Sequence, residues 1–239
     1  MNKIAIINQV KEIILKYAKP NRIYIYGSLV NGEAKIGSDI DIAYDDVNFK
    51  SDYLIEDEVA NIDTLIKIDV KNIAKSEERF KNRVISTGKV IYSATKQLRA
   101  EDGLYNFSNA LSKYKSAVDR YEEFKNEGFE DVYLDLIVKR FEFTYEMSWK
   151  ALKRYLEFLG FEIKSPRMAF QEAFSQQIID NEAVWLDMIE QRNLSSHVYD
   201  EIQISEILGK KEVFKSAFVK LHNKLEQELN KNKKENNVQ

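Results

Sequence analysis

The chain of 239 residues predicts an α/β N-terminal domain, a small mixed sheet with helices, followed by an all-α antiparallel helical bundle. Three observations lead there. Short β-branched and aromatic runs alternate with helical patterns over residues 1–95. Beyond residue 100 strand signals all but vanish, and apolar residues recur at helical spacing. A hydrophobic content of 44% is enough for two real cores. The expected boundaries are 1–95 for the α/β domain, 101–230 for the bundle and 231–239 for a polar tail.

Each element has its own signal. Ile6, Ile7, Val10, Ile13, Ile14 and Tyr17 mark a helix over 4–19, which Pro20 ends. Arg22-Ile-Tyr-Ile-Tyr26 reads as a strand, and Gly27-Ser28 begins the turn that leaves it. Asp39-Ile-Asp41-Ile-Ala43 alternates acidic and apolar, so as a strand it turns both carboxylates to one face and Ile40 and Ile42 to the other. Residues 51–65 read as an acidic helix. Ile66 to Lys71 alternates again, putting Ile66, Ile68 and Val70 on one face and Lys67, Asp69 and Lys71 on the other. Ser76-Glu-Glu-Arg79 has the form of a capped helix start, that helix stops at Gly88, and Lys89 to Tyr92 is a short final strand. In the bundle, helices are expected over 104–121, 132–159 with Gly160 as terminator, 168–176 behind a Ser165-Pro166 start, 182–191 and 204–229. Phe141, Trp149 and Trp185 fall at core spacing rather than on a base-stacking surface.

Composition excludes several classes. The formal net charge of -3 argues against nucleic-acid binding through overall positive charge, while leaving room for a local basic patch. The absence of cysteine removes disulfides, thiolate metal sites and a cysteine nucleophile, and two histidines make a histidine-rich metal site a poor reading. Lys11, Glu12 and Lys16 break the apolar residues of the amino terminus before a secretory signal could form, and no window approaches the ~18 apolar residues of a membrane span. A cytoplasmic protein is the expectation.

The chemistry concentrates between Gly27 and Asp69. Two carboxylates on one side of a rigid strand, Asp39 and Asp41, suit hard divalent cations, and Asp69 on a third strand adds another. Backbone amides and the hydroxyl at Gly27-Ser28 are placed to hold phosphate oxygens. Together these are the parts required for nucleotidyl transfer: two Mg²⁺ ions to stabilise the attacking and leaving oxygens, and a carboxylate, Asp69, to accept the proton of the incoming hydroxyl. Ser38 either orients the loop or caps a turn.

At these residues the sequence resembles the minimal nucleotidyltransferases of the polymerase-β superfamily, with their G-S-x-x-x-G, S-D-x-D and later aspartate. The resemblance spans about 1–95 and implies that Asp39, Asp41 and Asp69 bind Mg²⁺ and that ATP is the substrate. One departure stands out: Leu29-Val30-Asn31 contains no arginine, where members of that superfamily often place one, which leaves the phosphate grip to Lys35 or another basic residue.

The bundle carries a second motif, Gln191-Arg-Asn-Leu-Ser-Ser-His-Val-Tyr-Asp200. Arg192 and His197 are five apart and could bind a scissile phosphate and move a proton. In isolation, the simpler account is a helix end where the arginine pairs with an acid and the histidine caps carbonyls. Together with Arg140 to Lys150 and Ser165-Pro-Arg167, however, the segment is similar to the nucleotidyltransferase-substrate-binding branch of the HEPN helical domains, over roughly 101–230. That resemblance implies a homodimer through the helical domain and an RNA substrate cleaved without metal by Arg192 and His197. It also implies a tyrosine two positions after the histidine, here Tyr199, that a paired transferase adenylylates to silence the ribonuclease, as in toxin-antitoxin pairs. The combined expectation is a single-chain version of such a pair, acting in cis or trans. An alternative is transfer to a small-molecule hydroxyl of the antibiotic-modifying type, and a third is a degenerate regulatory dimer.

Overall fold

A computed structural model describes residues 3–30, 37–128, 130–195 and 206–236, and the chain divides into two compact units, Met1–Leu98 and Arg99–Gln239. In the first unit, α1 (Lys3–Tyr17) leads into β1 (Arg22–Tyr26) and a single 3₁₀ turn (Gly27–Leu29). Then follow β2 (Ile40–Tyr44), α2 (Asp52–Ala60), β3 (Ile68–Asn72), a 3₁₀ turn (Ile73–Lys75), α3 (Glu78–Thr87) and β4 (Lys89–Ser93). The sheet order is β3-β2-β1-β4. β1 pairs antiparallel with both β2 and β4, whereas β2 and β3 are parallel, joined by the crossover through α2.

The period-2 pattern sorts the sheet into two faces. One face and the helices α1 and α2 bury Ile6, Val10, Ile14, Ile23, Ile40, Ile42, Ile55 and Val70 in a single cluster. The opposite face carries a smaller cluster of Tyr24, Tyr26, Ala43, Ile73 and Val84, with Phe80 of α3 packed on it. The acidic residues share this second face, beside the smaller cluster.

Several boundaries differ from expectation. α2 stops at Ala60 rather than Leu65 because the chain turns at Asn61, and Thr64 Oγ1 then accepts from the Ile66 amide 3.1 Å away. β3 accordingly starts at Ile68, two residues late. Ser76 does not cap α3: its hydroxyl donates back to the Asn72 carbonyl at 3.1 Å, and the N-cap position falls to Glu77.

The second unit is helical: α4 (Lys96–Asp119), α5 (Tyr121–Asn126), α6 (Glu130–Phe158), α7 (Pro166–Ser175), α8 (Glu182–Ser195) and α9 (Lys211–Asn236), with a helical turn at 206–209 before α9. α4 begins eight residues earlier than the apolar periodicity indicated, since Thr95 Oγ1 accepts from the Leu98 amide and opens the helix there. The residues between the two expected domains are therefore the start of α4. Ser165 caps α7 by accepting from the Met168 amide at 3.2 Å, and Gly160 leaves α6 with φ +102, a backbone state that favours glycine. The polar residues 231–236, expected as a frayed tail, continue α9, which meets no glycine or proline and gains a Lys231–Glu228 pair at 3.3 Å. Phe218 lies at the centre of the bundle, its ring edge-on to Tyr114 at 5.8 Å and Trp185 at 5.8 Å, with Phe107 at 6.1 Å and Phe141 at 6.2 Å. Gly103 of α4 permits a close helix contact: a Cβ there would stand 3.2 Å from the Ala151 Cα of α6.

Candidate active site

Parallel pairing sets the geometry of the acidic cluster. In the β2–β3 ladder Asp41 is opposite Asp69, so two residues 28 apart in sequence become lateral neighbours on one face. On the other side of β2, Tyr26 is opposite Asp41. Tyr26, Asp41 and Asp69 thus form a row across three strands, and the Tyr26 hydroxyl donates to Asp69 Oδ2 over a long 3.5 Å. Asp39 lies just before β2 and is exposed.

Gly27 closes the row from above. Its φ is +73, and a Cβ built on it would approach within 2.3 Å of Asp41 Oδ2. Both facts require glycine: the left-handed turn lets the chain leave β1 sharply, and the missing side chain lets the backbone lie against the carboxylate. Ser28 sits in the same 3₁₀ turn and is half-buried, while the Gly27 carbonyl accepts from Val30 at 3.1 Å. The Ser38 carbonyl accepts from Lys3 Nζ at 3.1 Å, which ties the approach to β2 back to α1.

The electrostatics of the row are unfavourable by themselves. Burial pushes the Asp41 carboxyl above its ordinary value, the charges of Asp69 and Asp39 push the same way, and Lys71 and Lys67 oppose them. Tyr26 is pushed well up by burial and by the two neighbouring carboxylates, so the phenol stays neutral. Lys71 Nζ meets Asp69 Oδ2 at 2.9 Å. Among the described residues no three acidic or imidazole side chains already close around an ion. The donor set nevertheless fits a hard cation: two adjacent carboxylates, one of them burdened by its neighbours and set against the backbone of Gly27, with Asp39 just before β2.

Sequence reasoning missed Tyr26, Phe80 and Arg83. The Phe80 ring meets Tyr26 edge-on at 5.5 Å and carries the Arg83 guanidinium at 5.2 Å. Only the tertiary packing of α3 against β1 reveals this, although an aromatic residue one position before Gly27 was a usable signal.

In the helical unit, Arg192 lies on α8 with its side chain about one-third exposed, and Glu146 of α6 accepts from its Nε at 3.2 Å and its Nη2 at 3.1 Å. The other Glu146 oxygen accepts from the Trp149 indole at 3.0 Å and faces Lys150 at 3.4 Å. Burial raises the Glu146 carboxyl, but Trp149, Lys150 and Arg192 together outweigh it and hold the group below the usual range. Arginine paired with an acid is what the simpler account of this motif anticipated. Neighbouring Gln191 is buried and donates to Glu206 Oε2 at 2.6 Å, and its Oε1 has no hydrogen-bond partner among the described residues. His197 and Tyr199, together with Asn31, Gly32 and Lys35 of the first site's loop, lie outside the described residues.

No helix among the described residues is long and apolar enough to cross a membrane. No curated protein matches the chain. Two family models do: polymerase beta nucleotidyltransferase over residues 8–97, and nucleotidyltransferase substrate binding protein like over residues 102–230. The first match takes in the whole sheet and ends within the first turn of α4, and the second runs from α4 into α9. The chain therefore belongs to the nucleotidyltransferase substrate-binding-protein-like family, with a polymerase-β-type nucleotidyltransferase domain preceding its HEPN-like helical domain.

Proposed function

We propose that the chain is a Mg²⁺-dependent adenylyltransferase that modifies Tyr199, in cis or in trans, and thereby silences an RNA-cleaving site at Arg192 and His197. The observation that carries the first half of this reading is the register of Asp41 against Asp69 beneath Gly27. Asp39, Asp41 and Asp69 would hold Mg²⁺, which when bound neutralises phosphoryl oxygens and lowers the pKa of a coordinated hydroxyl. The chain's own groups do the rest. The Gly27-Ser28 amides and hydroxyl orient the departing phosphates. Asp69 lies on the open edge strand, where an entering phenol can pass its proton to a carboxylate. The phenol oxygen bonds to the α-phosphorus of ATP, the bond to the β-phosphate bridging oxygen breaks, and pyrophosphate departs.

The second half draws its support from spacing: Tyr199 follows His197 by two residues and Arg192 by seven, near enough along the chain for an AMP group on Tyr199 to reach either. Homodimerisation is supported by Val132, Leu136 and Phe143, exposed apolar residues that share one side of α6. Intact-mass spectrometry of the full chain with ATP and Mg²⁺ tests the proposal. Wild type should gain AMP units, and Tyr199→Phe should not; equal labelling of both would refute the acceptor assignment. The matched family's description as substrate binding favours a second reading, in which the bundle holds a small hydroxylated compound. Pyrophosphate release stimulated by such a compound, without protein labelling, would establish it.

A further inference from the structure

A polyphosphate that approaches Asp39, Asp41 and Asp69 meets three negative charges, and the loop beneath it offers no arginine at Leu29 or Val30. Transfer requires protein cations as well as metal, and Lys35 of that loop lies outside the described residues. Lys71 is placed to supply one. It follows Asp69 by two residues in β3, so the pleat puts both side chains on the same face. Its ammonium lies 2.9 Å from Asp69 Oδ2 and 5.6 Å from the centroid of the Phe80 ring. The same ring holds Arg83 at 5.2 Å and meets Tyr26 edge-on. Phe80 is thus a platform that keeps two cations beside the carboxylate row. Half of the Lys71 side chain is exposed, so charge and the ring position it rather than packing, and it can swing without disturbing the core.

We infer that Lys71 is the chain's replacement for the absent loop arginine, a phosphate-gripping residue that is parked on Asp69 until a divalent cation takes that carboxylate and releases the ammonium to the nucleotide's polyphosphate. The inference rests on the reading of Asp39, Asp41 and Asp69 as metal ligands. It gives Lys71 two effects of opposite sign. Without nucleotide the ammonium competes with metal for Asp69. With metal in place it attracts the polyphosphate. A residue that only supported the fold would weaken both kinds of binding when removed.

The test uses the full chain as wild type, Lys71→Met and Lys71→Arg. Mn²⁺ uptake without nucleotide is followed by the electron paramagnetic resonance signal of the free ion, and a non-hydrolysable ATP analogue is titrated in saturating Mg²⁺. Lys71→Met should bind Mn²⁺ about 1.5- to 5-fold more tightly, the range an exposed ion pair supports. It should bind the analogue about 10- to 150-fold more weakly, as expected for loss of a hydrogen bond to a charged group. Lys71→Arg, which keeps the charge, should restore both towards wild type. Mn²⁺ binding by Lys71→Met no tighter than wild type, or analogue binding no weaker, overturns the inference while leaving the metal site standing. Wild type whose Mn²⁺ uptake is unaffected by Asp69→Asn would instead remove the metal site, and the role of Lys71 with it.

Discussion

Gly27→Ala probes the site through its backbone. The substitution carries two separable penalties. An L-residue at φ +73 sits in the left-handed region, which costs about 1–2 kcal/mol. The new Cβ would also lie 2.3 Å from Asp41 Oδ2, closer than real Cβ contacts, so the carboxylate must move away. In a unit the size of residues 1–98, about 1–2 kcal/mol corresponds to a fall of roughly 5–15 °C in Tm. The displaced carboxylate should reduce nucleotidyl transfer further, by ~10²-fold for a shift approaching 1 Å. Pyrophosphate release reads the second effect and differential scanning calorimetry the first. A double-mutant cycle with Asp41→Ala separates them, because shortening Asp41 removes the clash and leaves the backbone strain. Part of the Gly27→Ala destabilisation should therefore disappear in the Asp41→Ala background. If Gly27→Ala costs the same in both backgrounds, the close approach does not exist in solution; if it costs nothing in either, the turn itself is wrong.

Three further outcomes follow from the same geometry. Asp41→Asn should abolish transfer yet raise thermal stability at neutral pH. The folded-state pKa of Asp41 is raised, by burial first and then by Asp69 and Asp39, so its stability contribution is complete below the unfolded value of about 3.9 and is lost as pH rises through the folded value. The gain in Tm should vanish below about pH 4, and a gain that persists there would contradict the assignment. Glu146→Gln should destabilise the helical unit by about 1 kcal/mol at pH 7, since the carboxylate meets Arg192, Lys150 and the Trp149 indole. Its folded pKa is lowered, so this contribution is present above the unfolded value of about 4.3 and is lost as pH falls through the folded one; urea titrations that show an undiminished penalty in strong acid would refute the charged network. Gly103→Leu should cost about 1–3 kcal/mol in urea unfolding by forcing α4 away from Ala151 and Arg154 of α6.

What the sequence could reveal was whatever repeats within a single strand or turn. Arg22–Tyr26 was legible to the residue because a β-branched and aromatic run ends at a glycine. The alternation of 66–71 put Asp69 and Lys71 on one face and Val70 on the other before any pairing was known. Alternation does not say which strand comes next, so the Asp41–Asp69 register had no local signal. The same limit hid the acid that pairs with Arg192: Glu146 is 46 residues away and meets it only where α6 packs against α8. The misplaced end of α2 has a different cause. Its apolar and acidic pattern continues past Ala60, but the Asn61 turn and the Thr64 hydrogen bond redirect the chain before the pattern ends.

Like charges gathered at one place oppose the folding that gathers them, and the sheet resolves this by assigning its two faces different tasks. Ile40 and Ile42 are fully buried on one side of β2, while Asp41, between them, points to the other and bears the repulsion of Asp69 and Asp39. The apolar side supplies stability through burial with α1 and α2, about 1.5–3 kcal/mol for each fully buried aliphatic side chain. That margin allows the acidic side to remain electrostatically strained, a strain that the divalent cation of the proposed function would relieve. Lys71 relieves part of the strain without extinguishing it, because a half-exposed ammonium is a weaker partner than a divalent ion. Ile42→Val should then lower stability with little change in transfer per folded molecule, and Asp41→Asn should do the reverse. The separation of the two effects, read by calorimetry and pyrophosphate release on the same samples, is what distinguishes a strand whose faces are functionally independent from one whose core and chemistry are coupled.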